Sequence, residues 1–345
     1  MLRTSIPRLA RALLSPRLSP SSTSQELARP VLPQLAFVVG LGGASIGAAA
    51  YMTNQDTDER RNGVFGSLRR STGLQVDMMR SRAGKEYERA KGFVQATGGS
   101  RLAIILAENW LELGEAKRTG AGLIASFAAV WLAWRLPASA RFGQWLAHNP
   151  LSGKNVTLLT SVFSHRTLPH LAFNSIALYS FGTACFKFLD YSEILPRSTS
   201  RFEFLAFFAT AGLASSFASH LWFSRVVAGR LLRVLPAAQV KASMLPSLGA
   251  SGAVYGCVAM TALAFPETSV SLIFLPFFPI PIGAATASMV ALDAVGLLRG
   301  WRMFDHAAHL AGAGFGGLWW WKGHEWFEQL RLSMGAGQAR KRVQQ

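Results

Sequence analysis

The sequence predicts an all-α polytopic membrane protein, on three observations. Half of its 345 residues are apolar and only 15% are charged, against roughly a quarter charged in an ordinary soluble domain. Several uncharged runs reach or approach the about 20 residues that a membrane-crossing helix needs. Short polar pieces separate those runs, in the pattern of one helix, a spacer and then six more.

The elements follow in order. Residues 1–31 are rich in Arg and Ser, with Glu26 as the only acid, and lack the unbroken apolar core of a secretory signal. That composition predicts a mitochondrial targeting presequence. Residues 32–52, uncharged and rich in Gly and Ala, predict a tightly packing accessory span. Residues 53–119 are of mixed charge and carry an amphipathic stretch through Leu102, Ile105, Leu106, Trp110 and Leu113, which predicts a juxtamembrane helical region lying along the bilayer surface. Six apolar stretches follow at 121–137, 168–187, 203–224, 248–266, 279–298 and 306–322, within a core spanning 120–326, and a basic tail closes the chain at 327–345. The connection 138–167 is long for a compact domain and reads as a functional loop.

The net charge of +17 raises nucleic acid as a partner. The Lys and Arg gather in the N-terminal segment, the loops and the tail, with no aromatic-interleaved basic stripe. Basic flanks of membrane spans account for them, so the expected partner is the lipid bilayer and no nucleic acid. Cys185 and Cys257 both fall in apolar runs, leaving no disulfide framework and no metal site built on thiolates.

Ionisable and polar side chains inside apolar spans cost several kcal/mol and so mark candidate sites. Ser251 stands at the start of the fourth core stretch between Gly249 and Gly252. A lone serine in a membrane helix bonds back to its own backbone; one at a helix N-terminus also has free N–H groups around it, the raw material of an oxyanion hole. His309 lies in the last stretch. Gly252 with Gly256, and Gly312 with Gly316, each put two glycines on one helix face, the spacing that lets membrane helices touch. A serine and a histidine adjoining those faces suggest a nucleophile and its base. His170 and Asn174, four apart, share a face and can converge on one point. His165, just before them, reads as structural, tying the loop to the bilayer surface.

Three further residues are read as bystanders. His306 and His309 form an HxxH pair without the glutamate and third ligand of a metalloprotease. Asp305 precedes His309 by four residues and reads as a helix N-cap in preference to a triad member. Asp293 is a buried acid without an evident partner, read as structural.

These motifs resemble the rhomboid family of intramembrane serine proteases. H-x-x-x-N at His170 and Asn174, G-x-S-G at Gly249 to Gly252, and A-H-x-x-G-x-x-x-G at Ala308 to Gly316 occur in family order on the second, fourth and sixth core stretches. The runs Phe304–Leu310 and Phe274–Pro276 resemble the mitochondrial, presenilin-associated rhomboid-like branch. The resemblance covers roughly 120–326. It implies a six-helix core with one additional N-terminal transmembrane helix, a 1+6 arrangement in the mitochondrial inner membrane. It implies Ser251 as nucleophile and His309 as base, with His170, Asn174 and the Ser251 N–H as oxyanion hole and Tyr255 stacked on the imidazole. The implied substrates are transmembrane proteins, and no cofactor or metal takes part. One departure is the absence between 138 and 167 of the Trp-Arg pair common in the first loop of many rhomboids, which leaves open how that loop is anchored. A catalytically silent relative that binds membrane clients, and a transporter with a polar pathway through His170, Asn174, Asp293 and His309, are the alternatives. The absence of an internal repeat speaks against a transporter built from inverted halves.

Overall fold

The computed structural model describes residues 31–65, 74–191, 195–272, 275–301 and 303–336; the segment 1–30, expected as a presequence, and 337–345 of the expected tail lie outside them. Three of the described helical segments, Leu32–Arg60, Arg201–Leu231 and Ile282–Arg299, are long and apolar enough to cross a membrane by length and composition.

The first helix, α1 (Leu32–Phe65), is unbroken over 34 residues and runs straight through the boundary expected at 52. Gly42, Ala49 and Ala50 face inward and are buried while Leu32 and Val39 are exposed, and a Cβ on Gly42 would lie 3.3 Å from Thr210 Cγ2. Helices α2 (Leu74–Ala96) and α3 (Arg101–Glu112) follow. Ser100 caps α3 by accepting from the Ala103 N–H. Ala103 and Ala107 are buried, and Leu102, Ile105, Leu106 and Trp110 are exposed. Helices α4 (Glu115–Ala133) and α5 (Ser139–Leu146) lead into the long loop.

Thr167 caps α6 (Leu168–Ala177), with Pro169 in its first turn, and the helix continues through a widened turn, Leu178–Gly182, into Thr183–Asp190. Helix α7 (Arg201–Leu221) extends in the same way to Leu231, and a short α8 (Ala237–Ser243) follows. The central helix is α9 (Ser251–Ala264), in which every residue from Gly252 to Ala262 except Tyr255 is buried. A hairpin of β1 (Ser269–Leu272) and β2 (Leu275–Pro281), pairing Ser269 with Pro281 and Val270 with Ile280, leads into α10 (Ile282–Arg299). This corrects the expected span at 279–298: Pro279 and Pro281 lack the N–H a helix interior needs, so the helix starts only at Ile282. Helix α11 (His306–Leu318), capped by Asp305, passes through a widened turn, Trp319–Gly323, into His324–Arg331.

That last extension crosses the boundary expected at 326, and buried charges explain why. Arg197 pairs with Glu203 at 2.6 Å and with Glu328, and Arg331 pairs with Glu328 at 2.9 Å, all four at most 3% exposed. Asn54 of α1 donates to the Arg331 carbonyl at 2.9 Å and accepts from its Nε at 3.0 Å. The accessory helix and the end of α11 are therefore joined through a buried ionic cluster, in which loss of one partner leaves another charge uncompensated.

Helices α9 and α11 meet backbone to backbone. A Cβ on Gly312 would lie 1.9 Å from the Gly252 carbonyl oxygen, and one on Gly316 2.1 Å from that of Gly256. Gly312→Ala is expected to lower stability by about 3 kcal/mol, since neither backbone can yield as a side-chain tip does; thermal unfolding in detergent measures it.

No Trp-Arg pair lies within 138–167, but Trp134 and Arg135 just ahead of it hold the loop's far end, Trp134 Nε1 donating to Ser164 Oγ at 2.7 Å and Arg135 to the Arg166 carbonyl at 3.2 Å. His148 and Ser247 exchange backbone hydrogen bonds of 2.8 and 2.9 Å. Thr157 Oγ1 gives its proton to the Lys154 carbonyl at 2.6 Å, so it accepts from His148 Nδ1 at 2.8 Å, and His148 Nε2 in turn accepts from His220 Nδ1 at 3.0 Å. Burial, with the neighbouring His220 adding to it, pushes His148 from 6.5 down to about 3. The unfolded chain then binds the extra proton between those values, so this contribution to stability is complete above pH 6.5 and falls as pH drops through the window. Stability is expected to fall between pH 7 and 5, by up to about 1.4 kcal/mol per pH unit from this group, and less steeply in His148→Asn, as read from the melting temperature.

Candidate active site

Ser251 opens α9, where the first N–H groups have no acceptor within the helix. Its Oγ lies 2.9 Å from His309 Nε2, across the glycine contact between α9 and α11. The other ring nitrogen, Nδ1, lies 3.1 and 3.3 Å from the two carboxylate oxygens of Asp293 on α10. A carboxylate accepts, so Nδ1 carries the hydrogen and Nε2 presents its lone pair to the serine hydroxyl. Tyr255, one turn beyond Ser251, stacks on the His309 ring at 4.2 Å between centroids and 12° between planes.

This corrects the reading of Asp293 as an acid apart from the site. Its partner comes from a neighbouring helix 16 residues away, a relation that no helical spacing within one segment reveals. Asp305 does what its position predicts: it caps α11 by accepting from the Ala308 N–H at 3.2 Å, and it also accepts from Ser219 and Ser247 at 2.5 and 2.6 Å. His306 bonds Asp293 through Nδ1 at 2.5 Å.

His170 and Asn174 face the same cavity as Ser251. Asn174 spends one amide hydrogen on the His170 carbonyl at 2.9 Å and keeps a second. Gly249, at φ +128°, is where the His170 ring packs: a Cβ there would lie 2.6 Å from its Cε1, so the position needs glycine for both backbone and space. His165, read from the sequence as a tie to the bilayer surface, is enclosed within the protein. It is fully buried behind the serine, edge-on to His170 at 4.9 Å, with Nε2 accepting from the Ala250 N–H at 3.4 Å. Burial, reinforced by His170, pushes His165 down to about 4, which keeps that nitrogen an acceptor. Sequence reasoning missed His148 and His220, which pin the loop leading to this corner; their separation by 72 residues leaves no local signal.

The cavity has a volume of about 1300 Å³ and runs between α6, α9 and α10. Phe173, Phe181, Val254, Val258, Met289 and Leu292 make most of its wall apolar. Its polar groups, Ser251, His309, Asp293, His170 and Asn174, are the candidate chemistry, and they suit acyl transfer: a hydroxyl, a base oriented by an acid, and nearby donors.

The rhomboid domain matches residues 152–326. The mitochondrial presenilin-associated rhomboid-like protein of Rattus norvegicus is 32% identical over 299 residues, covering 86% of this chain and 68% of that protein. Its counterpart in Homo sapiens is 31% identical over 300 residues, with the same shares covered. Mitochondrial rhomboid protein 1 of Saccharomyces cerevisiae is 34% identical over 203 residues, 58% of this chain and 51% of that one. With its helical membrane architecture and these relatives, the chain belongs to the rhomboid family.

Proposed function

We propose that the chain is an intramembrane serine endopeptidase that cuts transmembrane segments of other proteins in the mitochondrial inner membrane. One observation carries the reading: Ser251 Oγ is 2.9 Å from the unprotonated nitrogen of a histidine whose other nitrogen is held by a carboxylate. In this reading residues 1–31 direct import, α1 is the additional span, and α4, α6, α7, α9, α10 and α11 form the six-helix core. The length of α9 supports placing the chemistry within the bilayer. Its 14 residues reach about 21 Å, short of the roughly 30 Å hydrocarbon layer, so the helix cannot present both ends at the surfaces.

The steps follow from the geometry. Ser251 Oγ attacks the scissile carbonyl carbon while its proton passes to His309 Nε2. Asp293 stabilises the imidazolium that forms, and Tyr255 keeps the ring in plane. The carbonyl oxygen becomes an oxyanion facing the Ser251 N–H, His170 and the second hydrogen of Asn174. His309 returns the proton to the departing amine as the C–N bond breaks, leaving an ester on Oγ. Water, deprotonated by Nε2, then hydrolyses that ester and restores the serine.

Purified protein in liposomes with a generic transmembrane substrate is expected to cleave it, and Ser251→Ala and His309→Ala to lose at least about 10³-fold in rate. A folded wild type that does not cleave refutes the reading and leaves the client-binding relative in its place. Asp293→Asn is expected to lose roughly 10²-fold or more in kcat, because an amide facing Nδ1 no longer enforces the productive tautomer; single-turnover cleavage measures it.

A further inference from the structure

We infer that His306 is a positioning residue for the Ser251–His309 pair, acting through Asp293, with Gly296 making room for it; this rests on the protease reading above. Asp293 Oδ1 takes two imidazoles at once, His306 Nδ1 at 2.5 Å and His309 Nδ1 at 3.1 Å. The hydrogen bond to His306 is the shorter of the two. His306 and Asp293 are each 4% exposed, so little solvent reaches the carboxylate. A carboxylate with a single donor turns about its Cβ–Cγ bond; the added donor from His306 fixes the direction from which it meets His309.

The ring of His306 occupies the space left by a missing side chain. A Cβ on Gly296 would fall 2.4 Å from both its Cε1 and its Nε2. Nδ1 donates to Asp293, and the opposite nitrogen, Nε2, is buried without a hydrogen-bond partner among the described residues. Leaving a buried nitrogen unsatisfied is costly, and a purely packing role would be met at less cost by an apolar ring. The arrangement is accounted for by the one bond His306 does make. Gly296 lies on α10 three residues after Asp293, so one helix face supplies both the carboxylate and the room for the group that aims it.

The test separates the donor from the bulk. Asparagine places an N–H where His306 Nδ1 stands, and glutamine places one where Nε2 stands. In liposomes, His306→Ala and His306→Gln are expected to lower kcat about 10- to 100-fold, the worth of one hydrogen bond to a charged group, with KM within about twofold. His306→Asn is expected to recover to within about threefold of wild type, although it leaves more empty space than glutamine. Gly296→Ala, which displaces the ring without removing it, is expected to resemble His306→Gln. Labelling of Ser251 by a fluorophosphonate counts the folded sites, so each kcat refers to competent enzyme, and Ser251→Ala gives the background. Should His306→Ala not fold, the comparison of asparagine with glutamine decides. Wild-type cleavage with equal kcat for the Asn and Gln variants, or with kcat unchanged in both, overturns this inference alone. Absence of cleavage by folded wild type overturns the protease reading and this inference with it.

Discussion

The structure depends on the direct backbone contact between α9 and α11. Helices separated by ordinary side chains lie about 8–10 Å apart, too far for a serine hydroxyl on one and an imidazole on the other to meet at 2.9 Å. Four glycines remove the intervening layer, so that the carbonyls of Gly252 and Gly256 occupy the space where side chains on Gly312 and Gly316 would stand. Lipid offers no hydrophobic drive for helices to associate, and close van der Waals contact takes its place. The contact that holds the bundle together is thus the one that sets the distance between Ser251 and His309.

Polar groups are gathered at two levels of the bundle. His309 and Glu328 are 19 residues apart on a nearly continuous helix, about 28 Å along its axis, close to the thickness of a hydrocarbon layer. At one level stand Ser251, His309 and Asp293; at the other, Arg197, Glu203, Glu328 and Arg331 neutralise one another. Asn54 draws α1 into the second group through both its amide atoms. Helix α1 is thereby part of the same packed unit as α7 and α11, and the ionic cluster lies far from the candidate chemistry.

What the sequence reveals here is what helical periodicity encodes. His170 and Asn174 lie four apart, the glycine pairs lie four apart, and Tyr255 lies one turn from Ser251, so each set is legible within a single segment. Asp293 is different: that it faces His309 depends on the rotation of α10 about its axis, which no spacing within 282–299 reports. His148 and His220 are invisible for the same reason. The end of the hairpin, at 279–281, is hidden by its apolar composition, which merges with the following span until the prolines at 279 and 281 are weighed. Helix ends were blurred because α1 and α11 continue into polar sequence, where buried partners satisfy charges that hydropathy alone assigns to solvent.

In the proposed protease, the polar corner serves the substrate as well as the reaction. A peptide carbonyl inside a membrane helix is already hydrogen-bonded and shielded by its own side chains, so attack by Ser251 requires several residues of that helix to unwind. In an apolar cavity each freed N–H and C=O costs several kcal/mol unless it finds a partner. The cavity wall made by Phe173, Phe181, Val254 and Leu292 offers none. Among the described residues, partners stand where α6 and α9 meet: the first-turn N–H groups of α9, the Asn174 amide and the His170 ring. A segment therefore has reason to unwind at one place along the cavity, and that place is beside Ser251. The same donors that steady an oxyanion in the transition state lower the cost of exposing the carbonyl beforehand, which ties selection of the cleavage point to the geometry of the nucleophile.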